Sequence, residues 1–206
     1  MVISKSVESL PHIKESALSI GSFDGIHVGH LELLKQLVAS AQKNKSKSVV
    51  ITFEPHPKSI LNKLNENITY LLTPINKKIQ KFTEAGIDHL LILPFDLELS
   101  LKTAEYFLED IIIKKFHPHD IIVGYDHHFG FERKGNYSLL RKMATEYGYK
   151  SSQISEIKHD NAVVSSTKIR QALSNGQIDK ANQLLGWNYE VIGTVEKGEG
   201  IGRKIG

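Results

Sequence analysis

The strongest constraint on the fold is the alternation of short apolar runs with longer amphipathic stretches along the chain. The apolar runs have the length and composition of buried strands, and they occupy residues 17–20, 48–53, 90–93, 120–124 and 152–157. Apolar residues at helical spacing predict helices over residues 31–41, 73–86, 103–114, 138–147, 166–173 and 179–185. This alternation predicts an α/β fold, a Rossmann-like doubly wound parallel sheet with helices on both faces.

The loops that follow the strands are the expected position of a ligand site. In open parallel sheets, ligands bind beyond the carboxyl ends of the strands. Those ends lead here into residues 21–30, 54–57, 124–135 and the segment before residue 166. We therefore expect these loops to converge at one edge of the sheet.

The composition narrows the chemistry that such a site can use. The 206 residues contain no cysteine, which excludes disulfides, thiolate zinc sites, iron–sulfur clusters and cysteine nucleophiles, and which fits a reducing, cytoplasmic compartment. The net charge of +3 is compatible with a phosphate-bearing ligand but is too small to indicate nucleic-acid binding. No apolar run approaches the roughly 18 residues of a membrane span, so no membrane association is expected.

The segment His27-Val28-Gly29-His30 carries the sharpest functional signal. It follows a predicted strand and a glycine turn, and it opens a predicted helix whose N-terminal N–H groups and partial positive charge favour phosphate. Gly29 allows a phosphate or nucleoside to approach the backbone closely. His27 and His30 lie on the same side of the first turn, where both can stabilise charge on a transferred phosphoryl group. Asp24 could cap the preceding turn or lie near the phosphates, and of these two roles the structural one is expected.

A second anion site is predicted at Ser165-Ser166-Thr167 together with Arg170. Ser166 or Thr167 can cap a helix whose backbone amides face an anion. Arg170 projects from the first turn and can bind phosphate through two parallel hydrogen bonds. From these residues alone, a capped helix with a surface arginine is an equally good interpretation.

Four segments, in this order, resemble the bacterial FAD synthetases, which are the prokaryotic bifunctional riboflavin kinase/FMN adenylyltransferases. GSFDGIHVGH at residues 21–30 is similar to the family's G-x-F-D-G-[VI]-H-x-G-H. TFEPHP at 52–57 resembles T-F-x-P-x-P, VGYDHHFG at 123–130 resembles V-G-x-D-x-x-F-G, and VSSTKIR at 164–170 resembles I-S-S-T-x-x-R. The resemblance covers essentially the whole chain and implies a fold of the HxGH nucleotidylyltransferase type.

The resemblance implies an FMN adenylyltransferase, which transfers AMP from ATP to FMN and gives FAD and pyrophosphate. The implied catalytic residues are His27, His30 and Arg170. The implied ATP- and phosphate-binding residues are Gly21, Phe23, Gly29, Ser165, Ser166 and Thr167, and those for FMN are Phe53, Pro55, Pro57, Asp126 and Phe129. Mg²⁺ would enter with ATP, and no direct protein ligation of the metal is predicted. The expected partners are these small molecules, with no nucleic acid and no membrane.

His127 and His128 depart from the family pattern, which usually has an aromatic and then often a basic residue at these positions. Imidazole can stack or donate to phosphate, so the departure is compatible with the implied reaction. A zinc site formed by His127, His128, His117 and His119 is disfavoured, since these adjacent histidines come without thiolates or placed carboxylates.

The last part of the chain sets the expected domain boundary. Residues 1–186 would form the adenylyltransferase domain, and residues 187–206 would be the incomplete start of a riboflavin kinase domain. A strand is predicted over residues 190–195, followed by a glycine-rich segment similar to the first glycine loop of that domain. Because the chain ends there, no riboflavin kinase activity is expected.

Two other functions remain open at this point. One is a different HxGH nucleotidylyltransferase, against which the segments at 52–57 and 123–130 argue. The other is a catalytically silent flavin- or nucleotide-binding protein, against which the intact residues of the two anion sites argue.

Overall fold

Six parallel strands form the central sheet of the computed structural model, which describes residues 1–63, 71–159 and 162–196. The strands are β1 (Val2–Ser4), β2 (Ser16–Ile20), β3 (Lys47–Glu54), β4 (His89–Pro94), β5 (Pro118–Val123) and β6 (Lys150–Gln153). Their order across the sheet is β1-β4-β3-β2-β5-β6, and neighbouring strands run parallel. The predicted parallel α/β sheet is therefore confirmed.

Helices flank this sheet. They are α1 (Val28–Lys43), α2 (Pro57–Lys63), α3 (Ile75–Glu84), α4 (Leu97–Ser100), α5 (Ala104–Tyr106), α6 (Lys114–Phe116), α7 (Tyr137–Tyr147), α8 (Ser166–Ser174) and α9 (Ile178–Leu185). A π-helical segment, Phe107–Ile113, joins α5 to α6, so the helix predicted over 103–114 is present with wider turns in its middle. A short antiparallel pair, β7 (Lys158–His159) with β8 (Ala162–Val163), precedes α8. In the described part of the chain, no helix combines the length and apolar composition needed to cross a bilayer.

Alternate residues of the buried strands contribute to two cores, one on each face of the sheet. Leu18 packs with Leu108 of the π-helical segment in one core. Ala17 and Val50 pack with Leu37 of α1 in the other. Because successive side chains of a strand point to opposite faces, burial of both faces requires the continuous apolar runs that the sequence shows.

The connections after β2 and β5 leave the sheet on opposite faces. Helix α1, which follows β2, contributes to one core, whereas α7, which follows β5, contributes to the other. These two strands are neighbours in the sheet. In doubly wound folds, the crevice between two such neighbours is the position at which ligands bind.

A third, smaller core brings the starts of α1 and α8 towards each other. It contains Ile169 of α8 and Leu185 of α9, together with Leu72. Val28, the first residue of α1, and Trp187 are partly buried against it. The two predicted anion-binding helix starts are thus parts of one packed unit.

Local differences from the sequence prediction arise mostly at short elements. The helix predicted from Thr73 begins at Ile75, with Pro74 as its N-cap residue. The strand predicted over residues 152–157 corresponds to β6, which lies at Lys150–Gln153. Strand β1 and helices α2 and α4 were not predicted, because elements of three to seven residues are too short to show a clear period.

The strand predicted over residues 190–195 does not form, and this prediction is wrong. Val191 and Val195 are 85% and 97% exposed. In the described ranges, no strand pairs with this segment, and a strand is not stable without a hydrogen-bonded neighbour. The glycine-rich segment assigned to the same domain start falls at 197–206, outside the described residues.

Candidate active site

A cavity of about 880 Å³ opens where the loops at the carboxyl edge of the sheet meet. Residues from each of the loops predicted to converge there line it. The predicted site residues in its wall are Gly21, Phe23, His27, Gly29, His30, Phe53, Pro57, Asp126, Phe129, Ser165 and Ser166. Three other predicted site residues, Pro55, Thr167 and Arg170, are not part of the cavity wall in the described part of the chain.

The first turn of α1 holds the two histidines against each other. His27 is the N-cap residue, and its Nδ1 accepts a hydrogen bond from the backbone N–H of His30 at 3.4 Å. The two rings stack with their centroids 3.8 Å apart and their planes 14° from parallel. Since Nδ1 accepts, the hydrogen of the neutral His27 ring lies on Nε2, which is therefore the nitrogen able to donate to a ligand oxygen.

Burial keeps both rings neutral. Loss of solvation lowers the pKa of His27 from 6.5 to about 4, although the carboxylates of Asp126 and Asp24 act in the opposite direction. The pKa of His30 lies well below its ordinary value because of burial and, to a smaller extent, the nearby His27 and Lys78. At neutral pH the pair is therefore a hydrogen-bonding group, and an incoming phosphate would favour its protonation.

Asp24 fastens the glycine turn to two other segments. Its Oδ1 accepts hydrogen bonds from the backbone N–H groups of Leu72 and Thr73 at 2.9 and 3.1 Å. Its Oδ2 forms an ion pair with Arg170. The hydroxyl of Ser166 donates to the Asp24 carbonyl at 2.7 Å. These contacts give Asp24 the structural role expected of it, which here extends to the start of α8.

Arg170 contacts Asp24 and is not part of the cavity wall. To bind ATP phosphates, the Arg170 guanidinium would have to contact them in addition to the Asp24 carboxylate or in place of it. This role of Arg170 stays a prediction. Ser165 is the N-cap of α8, where its side chain accepts from the N–H of Lys168. Since Ser165 and Ser166 line the cavity, the start of α8 reaches the same space as the histidine pair.

Lys78 is a charged group beside the site that the sequence motifs do not reveal. Its side chain is buried, with 1% of the residue exposed, and its Nζ donates to the carbonyl of Ser22 at 2.7 Å. Burial lowers its pKa, and nearby carboxylates oppose the shift. Its position offered a signal: residue 78 lies three after Ile75 and four before Phe82, on the stripe of α3 that packs into the core. A lysine is rarely buried there without a partner.

Aromatic rings form another part of the cavity wall. Phe53 makes an edge-to-face contact with Phe95, with centroids 5.7 Å apart, and Phe107 lies 6.3 Å from Phe129. His127 stacks on Phe129 at 5.5 Å, and burial lowers its pKa to about 4. The neutral imidazole therefore extends the aromatic wall, which suits a planar ring system.

The four histidines considered as a zinc site are not brought together. His117 and His119 lie at the amino end of β5, whereas His127 and His128 follow its carboxyl end. Within residues 1–63, 71–159 and 162–196, no group of three or more histidine, aspartate or glutamate side chains is placed to hold a metal ion.

The sheet order and the cavity at the strand ends place this chain among the doubly wound α/β proteins, with two helix starts at the position where such folds bind ligands. Comparison with known proteins narrows this class. The sequence profile of the FAD synthetase family matches residues 10–168. The chain belongs to this family, which confirms the resemblance found in its four motifs.

The similar curated proteins are bifunctional riboflavin kinase/FMN adenylyltransferases. Identity is 39% to that of Buchnera aphidicola subsp. Schizaphis graminum, over 100% of this chain and 66% of the relative. It is 36% to that of Buchnera aphidicola subsp. Acyrthosiphon pisum, over 98% and 65%, and 33% to that of Escherichia coli K12, over 92% and 60%. This chain thus spans 60–66% of the length of these relatives.

A solved structure supports the fold. The crystal structure described as a macrolide-efflux protein from Streptococcus pneumoniae matches this chain with a TM-score of 0.77 at 26% identity. The match covers 91% of this chain and 62% of that one. The likeness extends over nearly the whole Rossmann-like fold described above.

Proposed function

We propose that this chain is an FMN adenylyltransferase. An oxygen of the FMN phosphate would attack the α-phosphorus of ATP, the bond from that phosphorus to the β-bridging oxygen would break, and FAD and pyrophosphate would form. The observation that carries the proposal is the stacked His27–His30 pair, which shares one cavity with the start of α8 and an aromatic wall. The FMN adenylyltransferase names of the relatives support the choice of substrates.

Catalysis by this site would depend on positioning and charge stabilisation. The Nε2–H of His27 and the N–H groups at the start of α1 would donate to oxygens of the transferred phosphoryl group. A Cβ at Gly29 would lie 3.2 Å from the His27 ring, so glycine lets that ring fold over the first turn. A direct displacement needs no covalent intermediate, so no nucleophilic side chain is required.

The remaining predicted residues divide between the leaving group and the flavin. Ser166 and Thr167 would bind the β- and γ-phosphates at the start of α8, and Arg170 would neutralise the departing pyrophosphate. The FMN ring would pack on Phe53 and Phe129, whose aromatic neighbours shape that part of the cavity.

Mg²⁺ would neutralise phosphate charge as a complex with ATP. The ion prefers oxygen ligands and keeps several waters, so the nucleotide can supply most of its coordination. Asp126 and Glu132 both line the cavity, and the charge of Asp126 acts on His27, so these carboxylates could accept hydrogen bonds from the waters of the ion. The cysteine-free composition fits the reducing cytoplasm, which we propose as the compartment of the reaction.

The direct test is to incubate the chain with MgATP and FMN and to measure FAD and pyrophosphate. His30→Ala should lower kcat by about 100-fold or more, since it removes a group expected to act mainly in the transition state, while FMN binding changes little. His12→Ala, at an exposed position, is the matched control. Tight FMN binding without any FAD would favour a silent flavin-binding protein, and adenylyl transfer to a different phosphate acceptor would favour another nucleotidylyltransferase.

A further inference from the structure

Trp187 lies outside the region predicted to form the nucleotide domain, yet it contacts the loop that carries the histidines. Its indole Nε1 donates a hydrogen bond to the carbonyl of Ile26 at 3.2 Å. Ile26 immediately precedes His27, the N-cap residue of α1. The contact therefore reaches the backbone beside the proposed phosphoryl-transfer site.

This loop needs support from outside because its backbone is unfavourable. Phe23 and Ile26 have φ values of +46° and +36°, and both side chains are buried. Positive φ is costly for residues with a Cβ, and most of all for a β-branched one. Such a conformation persists only where the surrounding structure holds it. Lys78 holds the Ser22 carbonyl at the beginning of this stretch, and Trp187 holds the carbonyl at its end.

The segment that carries Trp187 is itself fixed in place. The Lys77 ammonium contacts both carboxylate oxygens of Glu190 at 2.8 Å. The Lys77 and Lys81 ammonium groups lie 5.5 and 5.4 Å from the centre of the Trp187 ring, within cation–π distance. At Gly186, a Cβ would come within 2.9 Å of Val28 in the first turn of α1, so this segment packs tightly against the start of that helix.

We propose that Trp187 is a positioning residue for adenylyl transfer, which aligns His27 and the first turn of α1 by holding the Ile26 carbonyl. The proposal rests on the proposed function. Trp187 does not line the cavity in the described chain, so it acts through the loop and not on the substrates. The segment that begins at Trp187 thus belongs with the nucleotide site.

The kinetic test is Trp187→Phe, which keeps an aromatic ring and removes the donor. We expect kcat at saturating ATP and FMN to fall by about tenfold, since one lost hydrogen bond to a buried carbonyl would misalign the reacting groups. The KM for FMN should not change, because the FMN ring is proposed to pack on Phe53 and Phe129 and Ile26 is not part of that aromatic wall. Tyr189→Phe, two residues further on, is the matched control. An unchanged kcat for Trp187→Phe, or an equal fall for Tyr189→Phe, would overturn the proposal.

A binding test separates this proposal from the proposed function. Trp187 is the single tryptophan of the chain, so tryptophan fluorescence reports on the surroundings of this residue, which include the contact with Ile26. We expect MgATP, without FMN, to shift the emission, and calorimetry to confirm that the nucleotide is bound. No shift at saturating MgATP would refute the coupling. A wild-type chain that shifts its emission but forms no FAD would refute the proposed function and still support Trp187 as part of the nucleotide site.

Glu190→Gln provides a second variant if Trp187→Phe folds poorly. It removes the ion pair with Lys77 at a half-exposed carboxylate and leaves the indole in place. We expect a smaller fall in kcat of the same kind, again with an unchanged KM for FMN. A variant with wild-type kcat and a wild-type emission shift would contradict the role of this segment in positioning.

Discussion

Replacing Asp24 by Asn should weaken the junction between the glycine turn and the start of α8. Asn keeps an Oδ1 that can accept from the N–H groups of Leu72 and Thr73. It loses the charge that pairs with Arg170. The Asp24 side chain is 3% exposed and that of Arg170 is 22% exposed, so the ion pair is buried mainly on its carboxylate side.

The magnitude follows from this unequal burial. Removing one partner of a buried ion pair costs about 3–5 kcal/mol of stability. Arg170 can rehydrate in part, so we expect Asp24→Asn to lower the free energy of unfolding by about 2–3 kcal/mol. In a chain of this size, 1 kcal/mol corresponds to about 2–4 °C, so Tm should fall by about 4–12 °C.

Thermal unfolding of a double-mutant cycle measures the coupling. The cycle consists of the wild type, Asp24→Asn, Arg170→Met and the double variant, and we expect a coupling energy of about 1–3 kcal/mol. Lys114 and Asp110 provide the control cycle, because they form an exposed pair four residues apart. Their coupling should lie within the error of the measurement.

Additive losses in the Asp24–Arg170 cycle would refute this reasoning, since they would show that the two side chains contribute independently. The activities of the two single variants add a second criterion. Asp24→Asn releases the guanidinium from the carboxylate, whereas Arg170→Met removes it. If Arg170 also binds the leaving pyrophosphate, Arg170→Met should lower kcat per folded molecule much more than Asp24→Asn does.

Three further substitutions, one of them with a matched control, test burial, backbone conformation and the buried lysine. Burial holds the pKa of His127 at about 4, below its ordinary value of 6.5, so the unfolded chain takes up the proton at a higher pH and the free energy of unfolding falls as the pH drops from 6.5 to 4. His127→Phe should therefore make the fall of Tm over this pH range shallower. An unchanged slope of Tm against pH would contradict the burial of His127. Gly130 has a φ of +72°, and Gly130→Ala would place a Cβ 2.6 Å from the backbone of Ala104. This change should lower the free energy of unfolding by about 3 kcal/mol. Gly148→Ala, at a φ of +74° with nothing within 4 Å, should cost only about 1 kcal/mol, so equal shifts in Tm would rule out the clash. Lys78→Met removes the donor to the Ser22 carbonyl in the loop before α1 and should lower kcat about tenfold. Tm should change little, because removal of a buried charge offsets the lost hydrogen bond. A large fall in Tm with unaltered kcat would show a purely structural role for Lys78.

Local patterns account for the part of the fold that could be predicted. Strand β3 carries apolar residues on both of its faces, which matches the helices that cover each face of the sheet. Helix α7 has signals for its ends within the chain itself: Asn136 caps its first turn and Gly148 adopts the left-handed conformation at its end. Each of these features depends on neighbours in sequence, so the sequence displays it directly.

Predictions failed where the outcome depended on distant neighbours. Residues 190–195 have the β-branched composition of a strand, but no strand in the described part of the chain lies beside them, and Val191 is exposed. Strand β1 shows the converse, since its three residues form a strand because β4 is there to pair with them. Strand formation needs a partner, and composition cannot supply one.

By itself, the sequence determined the class of fold, the positions of the two helix starts proposed to bind anions, and the family, because these depend on periodicity, capping and contiguous motifs. Only the tertiary structure decided what holds the active-site loop. Its contacts join residues 146, 56 and 161 positions apart: Arg170 with Asp24, Lys78 with Ser22, and Trp187 with Ile26. No local pattern encodes contacts at such separations. They arise when α3, α8 and the segment after α9 pack around one loop whose strained backbone needs partners from outside it.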